Sequence, residues 1–255
     1  MSFIKENELF LLGELIKRNF LSKYKDSVLG VVWTVLNPLL MTILFTIIFS
    51  TVFGRNIGNF PVYYLSGRTI FVFFNSGVLA GMNSILANKN ILQRTAAPKH
   101  IFVLGGIFSE FITFIIYLIL MFGVMIVTHA EFYPTIPLAI IPIFSLTIMT
   151  VGLGLMLSVI CVYYTDIKHL WSVFALLLLY SSAIFYPMEI VPEPYHQVMI
   201  LNPIFWIVDQ FRCFVYTGTM PDILNIINSL LLSTIILVLG IIVFKKYEKK
   251  VSMRF

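Results

Sequence analysis

Four histidines, two cysteines and 12 acidic residues are the groups in this 255-residue sequence that could hold a metal, attack a substrate or move a proton. His100, His129, His169 and His196 fall in four different connecting segments, which argues against a shared metal site or a proton relay. Cys161 and Cys213 offer neither a disulfide framework nor a metal-binding spacing. There is no H-E-x-x-H and no cluster of aspartates to hold a metal and a diphosphate. No Gly-Lys dipeptide occurs, so a phosphate-binding loop is absent and the chain is not expected to hydrolyse nucleotide itself. What the sequence has instead is rings: 24 Phe, 12 Tyr and 3 Trp. Phe45, Phe49 and Phe53 recur every fourth residue, which puts them on one face of a helix. Tyr180, Phe185 and Tyr186 gather just before a proline-broken stretch. Such rings line a conduit, or they face lipid and anchor at the interface.

The elements that carry these residues must sit in lipid. Hydrophobic residues make up 59% of the chain and charged residues 11%, with a mean hydropathy of +0.96. Soluble domains are usually about one quarter charged, so this surface cannot be covered by polar groups. Residues 31–53 would form a helix about 34 Å long, enough for a bilayer core of ~30 Å. Further long apolar segments lie at 64–87, 101–128, 136–162, 169–188 and 222–244. The fold class expected is an all-α integral membrane protein with six transmembrane helices, filling residues 31–255. No small-residue cleavage site follows the first apolar run, which speaks against a cleaved signal peptide.

Charge orients it. Fourteen Lys and Arg fall in the N-terminal segment, the second and fourth loops and the tail at 245–255. Three (Arg55, Arg68 and Arg212) fall on the other side. The positive-inside rule then puts both termini in the cytoplasm. Within residues 1–30, Leu9, Leu12, Leu15, Ile16 and Phe20 recur at helical spacing, and Glu14 can pair with Arg18 on another face. That pattern predicts an amphipathic helix lying in the membrane interface. Between the fifth and sixth spans, Pro187, Pro192, Pro194 and Pro203 forbid a continuous helix. Short re-entrant helices are expected over 189–215, with Asp209 and Arg212 placed to neutralise each other.

Three features within the spans have open readings. Asn37-Pro38 frees a backbone carbonyl on a translocation path, or is an ordinary proline kink. Glu110 faces a subunit interface or channel, or lies near enough to the cytosolic surface to be solvated. Gly77-x-x-x-Gly81 permits close helix contact without naming the partner.

Three stretches, in order, resemble the membrane subunit of ATP-binding-cassette exporters of cell-surface polysaccharide, the O-antigen, capsule and teichoic-acid permeases. They are Y-K-D-S-V-L-G-V-V-W-T-V-L-N-P-L from Tyr24, N-K-N-I-L-Q-R-T-A-A-P-K-H-I from Asn88, and Y-Y-T-D-I-K-H-L-W followed by the broken F-Y-P…V-P…N-P…F-R region. Departures from the family's pattern are Thr165, Ala97, Lys99 and Arg68. The resemblance implies a homodimer in the plasma (inner) membrane, paired with two copies of a separate ATPase. ATP and Mg would belong to that partner, with no cofactor and no nucleic acid bound by this chain. The cargo would be a lipid-linked polysaccharide, moved outward through surrounding membrane lipid. It further implies an ATPase contact at Asn88, Lys89, Arg94, Pro98 and Lys99, flanked by the N-terminal helix with Glu14 and Arg18. A sugar polymer has apolar ring faces, so Phe45 and Phe49 are expected to face Tyr180 and Phe185 across a pore at the dimer centre. Competing functions are export of drugs or lipids, a membrane glycosyltransferase, and a passive channel. The transferase lacks a catalytic cluster, and the channel leaves the basic loop at 88–100 unexplained.

Overall fold

A computed structural model describes residues 6–25, 27–53, 57–95 and 97–252. Lys5, Arg55 and Arg254, used above for orientation, lie outside the described residues, as do the side chains of Phe53, Lys249 and Lys250. The described residues form helices and turns without strands. The helices are α1 (Glu6–Ser22), α2 (Val32–Phe53), α3 (Phe60–Ala87), α4 (Lys89–Arg94), α5 (Lys99–Val127), α6 (Ile140–Tyr163), α7 (Ile167–Tyr180), α8 (His196–Ile200), α9 (Pro203–Arg212) and α10 (Ile223–Ser252). A 3-10 turn, Ile136–Ala139, leads into α6, and a π turn, Cys213–Thr217, continues α9.

Five of these elements are long and apolar enough to cross a membrane: α2, α3, α5, α6 with its leading turn, and α10. The chain is a multi-pass membrane protein. The fifth expected span, 169–188, is shorter than anticipated, because α7 has 14 residues, about 21 Å. The chain leaves the helix after Tyr180 and turns through residues 181–186, with Ala183 at φ 52°. Beyond the prolines, Glu193–Ile200 and Pro203–Thr217 form a helix pair bent by 95°. The break falls where Asn202-Pro203 denies the first piece a continuation.

α3, α5 and α6 form the middle of the bundle, with α10 against α6, α1 against α5, and α9 against α3 and α6. Glycine decides how close α3, α6 and α10 come. A Cβ on Gly81 would lie 2.9 Å from Gly154 Cα, and one on Gly77 would lie 2.6 Å from Thr150 Cγ2. The G-x-x-x-G of α3 is therefore used inside the chain, against α6. Between those two α6 positions, a Cβ on Gly152 would lie 2.6 Å from Leu237 Cα of α10. In lipid no hydrophobic force separates helix from solvent, so backbone approach of this kind carries much of the association. α2 and α7 keep wide apolar faces outside the bundle, among them Ile43, Leu44 and Ile47 of α2 and Val173, Phe174 and Leu177 of α7.

α1 is not isolated from the bundle. Leu15 is buried against Ile101 and Phe102 of α5, and a Cβ on Gly105 would lie 2.8 Å from Leu15 Cβ. α2 runs as one helix through Pro38, whose carbonyl accepts the Thr42 hydroxyl at 2.6 Å. The proline ring leaves the Thr34 carbonyl without its amide four residues on.

Candidate functional site

At the end of the bundle where α3 begins, Arg212 is the central group. It is 7% exposed, and each of its five guanidinium N–H groups meets a protein oxygen. Nε donates to Ser66 Oγ at 3.3 Å. One terminal nitrogen donates to the Tyr63 hydroxyl at 2.9 Å and to the Ala183 carbonyl at 2.8 Å. The other donates to the Tyr63 and Ile184 carbonyls, both at 3.2 Å. The guanidinium carbon also lies 3.6 Å from the Tyr63 ring centroid. A Cβ on Gly67 would come within 2.8 Å of the guanidinium, so α3 is glycine at the point where Arg212 passes. Arg212 and Asp209 make no direct ion pair, because the planar fork is fully engaged by carbonyls and hydroxyls, and the two opposite charges act on each other only through space.

Asn202 closes the same region. Its Oδ1 caps α9 by accepting from the Ile204 amide at 2.9 Å. Its Nδ2 donates to the Leu178 carbonyl at 2.9 Å and to Ser181 Oγ and Ser182 Oγ at 2.8 Å. One amide thus joins the end of α7 to the start of α9. Asn before Pro is a legible helix start, but its reach back to α7 across 24 residues is not.

The predicted aromatic residues do come together, and they do so within one chain. The Phe45 ring centroid is 5.2 Å from Phe185, and Phe49 is 6.1 Å from Phe185. Tyr180 is 6.0 Å from Phe185. Two rings not singled out from sequence complete the cluster: Tyr64, 5.0 Å from Phe45, and Phe60, 5.8 Å from Phe49. Phe60, Tyr64 and Phe185 are buried, Phe45 and Phe49 are half-buried, and Tyr180 is 55% exposed. The contacts between α2 and the corner after α7 are ring against ring.

At the opposite end, the loop after α3 is tied to α1. Arg18 donates to Asn88 Oδ1 at 2.7 Å, while Asn88 Nδ2 donates to the Ser84 carbonyl at 2.7 Å. The expected Glu14–Arg18 pair is not formed, since Arg18 is turned to Asn88 and Asn19. Lys89–Arg94 forms a short helix with none of its side chains buried, and Pro98 stands at the start of α5, which opens with Lys99. Lys23 Nζ lies 2.7 Å from Glu110 Oε1 and 3.4 Å from Thr113 Oγ1. Glu110 is thus held by a lysine of its own chain. Sequence held no signal for this pair, because 87 residues separate the partners.

Residues 11–216 match the family described as ABC-2 type transporter. The chain belongs to that family. Among curated relatives of this ABC-2 chain is an O-antigen export system permease protein, RfbA, of Klebsiella pneumoniae. It is 26% identical over 243 residues, covering 93% of this chain and 92% of the relative. A protein of the same name from Myxococcus xanthus is 24% identical, covering 83% and 82%. The capsule polysaccharide export inner-membrane protein CtrC of Neisseria meningitidis serogroup A is 20% identical, covering 95% and 92%. The ABC-2 match begins within α1 and ends within the π turn after α9, and it leaves α10 outside it.

Proposed function

We propose that this chain is the permease subunit of an ATP-driven exporter of cell-surface polysaccharide, of O-antigen or capsule type. The observation that carries the reading is similarity along nearly the full length to permeases named for those two cargoes. On this reading two copies form the path in the inner membrane, each working with a separate ATPase that holds ATP and Mg. Both termini and the 88–99 loop face the cytoplasm, in keeping with the excess of Lys and Arg there. α1 lies at the cytoplasmic interface, and the bent pair after α7 is re-entrant from the outer side. The exposed helix Lys89–Arg94, braced by Arg18 through Asn88, is the handle on which the ATPase acts. The cluster of Phe45, Phe49, Tyr180 and Phe185 borders the path, with Tyr180 presenting the exposed ring.

The test uses the native cell. Deleting the gene should leave polysaccharide synthesised but retained inside, and the intact gene should restore it to the surface. Normal surface polysaccharide in the deletion strain sinks the reading. Reversing charge at Arg94 and Lys99 to glutamate should preserve membrane insertion while lowering both ATPase co-purification and export. Leucine at Tyr180 should preserve co-purification and cut export several-fold, because bulk is kept and the flat ring is lost.

A further inference from the structure

Next to the Arg212 knot lies a cavity of about 400 Å³ between the start of α3, the turn at Met188–Ile190 and α9 with its π turn. Its volume falls within the ~300–1,000 Å³ of small-molecule sites. Tyr63, Glu189, Trp206, Asp209, Arg212 and Tyr216 all line it. The chemistry it offers is decided by which polar groups are already used. Arg212 has no N–H to spare, since all five are donated to protein oxygens. The Tyr63 hydroxyl accepts from Arg212 and faces the Ala183 and Tyr186 carbonyls at 3.1 and 3.0 Å, so its one proton is committed. The Trp206 indole N–H goes to the Ile200 carbonyl at 2.7 Å.

Two carboxylates are left over. Neither Asp209 nor Glu189 has a hydrogen-bond or ion-pair partner among the described residues, although Asp209 is half-buried in the cavity wall. The Tyr216 hydroxyl accepts from the Asn59 amide at 3.2 Å and keeps its proton free to donate. The cavity is therefore rich in acceptors and aromatic faces and poor in donors. A phosphate or carboxylate would meet two like charges beside a single guanidinium whose N–H groups are all engaged, and so would find one cation against two anions and no charged donor to bind it. A polyhydroxylated ring suits it: hydroxyls donate to carboxylates, and the apolar ring face lies on indole or phenol.

We propose that this cavity binds a neutral or amino sugar unit, holding the cargo by Asp209, Glu189 and the aromatic walls within each subunit. This deepens the export reading by naming the sugar chemistry that its outer end accepts. It excludes uronate and phosphate units from that position.

The test is binding to the full-length chain in lipid nanodiscs, read by saturation-transfer NMR, which makes it independent of export. The ligands are cellobiose, a glucosamine disaccharide, digalacturonate and phosphoethanolamine. Cellobiose and the glucosamine disaccharide should give saturable signals, with digalacturonate at least tenfold weaker. Asp209→Asn and Glu189→Gln, combined, should lower the signal at least fivefold while the thermal melt and co-purification with the ATPase stay unchanged. If those variants melt early, Trp206→Phe supplies a second reading, expected to weaken binding about threefold. Saturation by phosphoethanolamine alone would make the cavity a lipid-headgroup site and overturn the proposal. Equal binding of digalacturonate, or no saturable disaccharide signal, would overturn it too. Sugar binding in a chain whose deletion leaves surface polysaccharide normal would refute the export reading and leave the cavity assignment standing.

Discussion

At the scale of single residues, charges decide the most. Arg212 holds α3, the corner after α7 and α9 to one guanidinium. Replacing it by methionine removes five buried hydrogen bonds at once, and the expected loss is about 3 kcal/mol or more, by the usual cost of breaking buried polar networks. Lysine should rescue little, because a point charge cannot reproduce a planar fork of five donors. A thermal melt in detergent checks both, and an Arg212→Lys variant that melts with the wild type would refute the fork argument. Lys23 and Glu110 are a different case. Lys23 is 29% exposed and Glu110 12%, so part of the attraction is screened. Lys23→Met should still cost roughly 1–3 kcal/mol, since it strands a carboxylate that is only 12% exposed. Adding Glu110→Gln should recover most of that loss, and a double variant less stable than Lys23→Met would show that the ion pair is not the relevant contact.

Helices were the most legible elements, and their interfaces the least. Apolar length alone marked out α2, α3, α5, α6 and α10 to within a few residues at most of their ends, because hydropathy and helix rise leave little freedom in lipid. The prolines at 187–203 correctly foretold broken helices, since missing amides act locally. The early end of α7 was not legible: two serines alone do not stop a helix, residues 183–188 are apolar again, and what ends the helix is the tertiary engagement of Asn202 and Arg212 with the Ser181–Ile184 corner. The aromatic stripe was foreseen, but Tyr64 and Phe60 were not, because a stripe identifies a face and says nothing of what covers it. The same holds for glycine, whose use against α6 appears only once the helices are docked. Gly81→Leu should therefore separate α3 from α6 and abolish a cooperative melt, whereas Gly123→Ala, with nothing within 4 Å, should be neutral or stabilise by up to ~1 kcal/mol. A Gly81→Leu chain that melts normally would mean that the close approach is not required.

At the scale of the whole molecule, one end of the bundle carries the basic α4 loop and the other carries the Arg212 knot together with the aromatic cluster. Single cysteines at 131–133 should react with an impermeant thiol reagent on intact cells, and those at 89–94 only after lysis; labelling in the reverse order would invert the proposed topology. α10 joins the two ends without a joint. It starts beside α9, where Gln210 donates to the Asn225 carbonyl at 2.9 Å and to Ser229 at 3.1 Å, and it continues unbroken for 30 residues. At ~1.5 Å per residue that is a rod of about 45 Å, well beyond the ~30 Å of hydrocarbon. Were such a rod to tilt, the tight Gly152–Gly240 crossing would be its pivot, as in an indicator needle. A tilt of about 10° would swing its far tip by about 4 Å if the pivot lies near mid-length, in the opposite sense to the movement at the cavity. On the proposed export reading and topology, a fluorophore near Lys246 should then report, from the cytoplasmic side, each opening of the outer side.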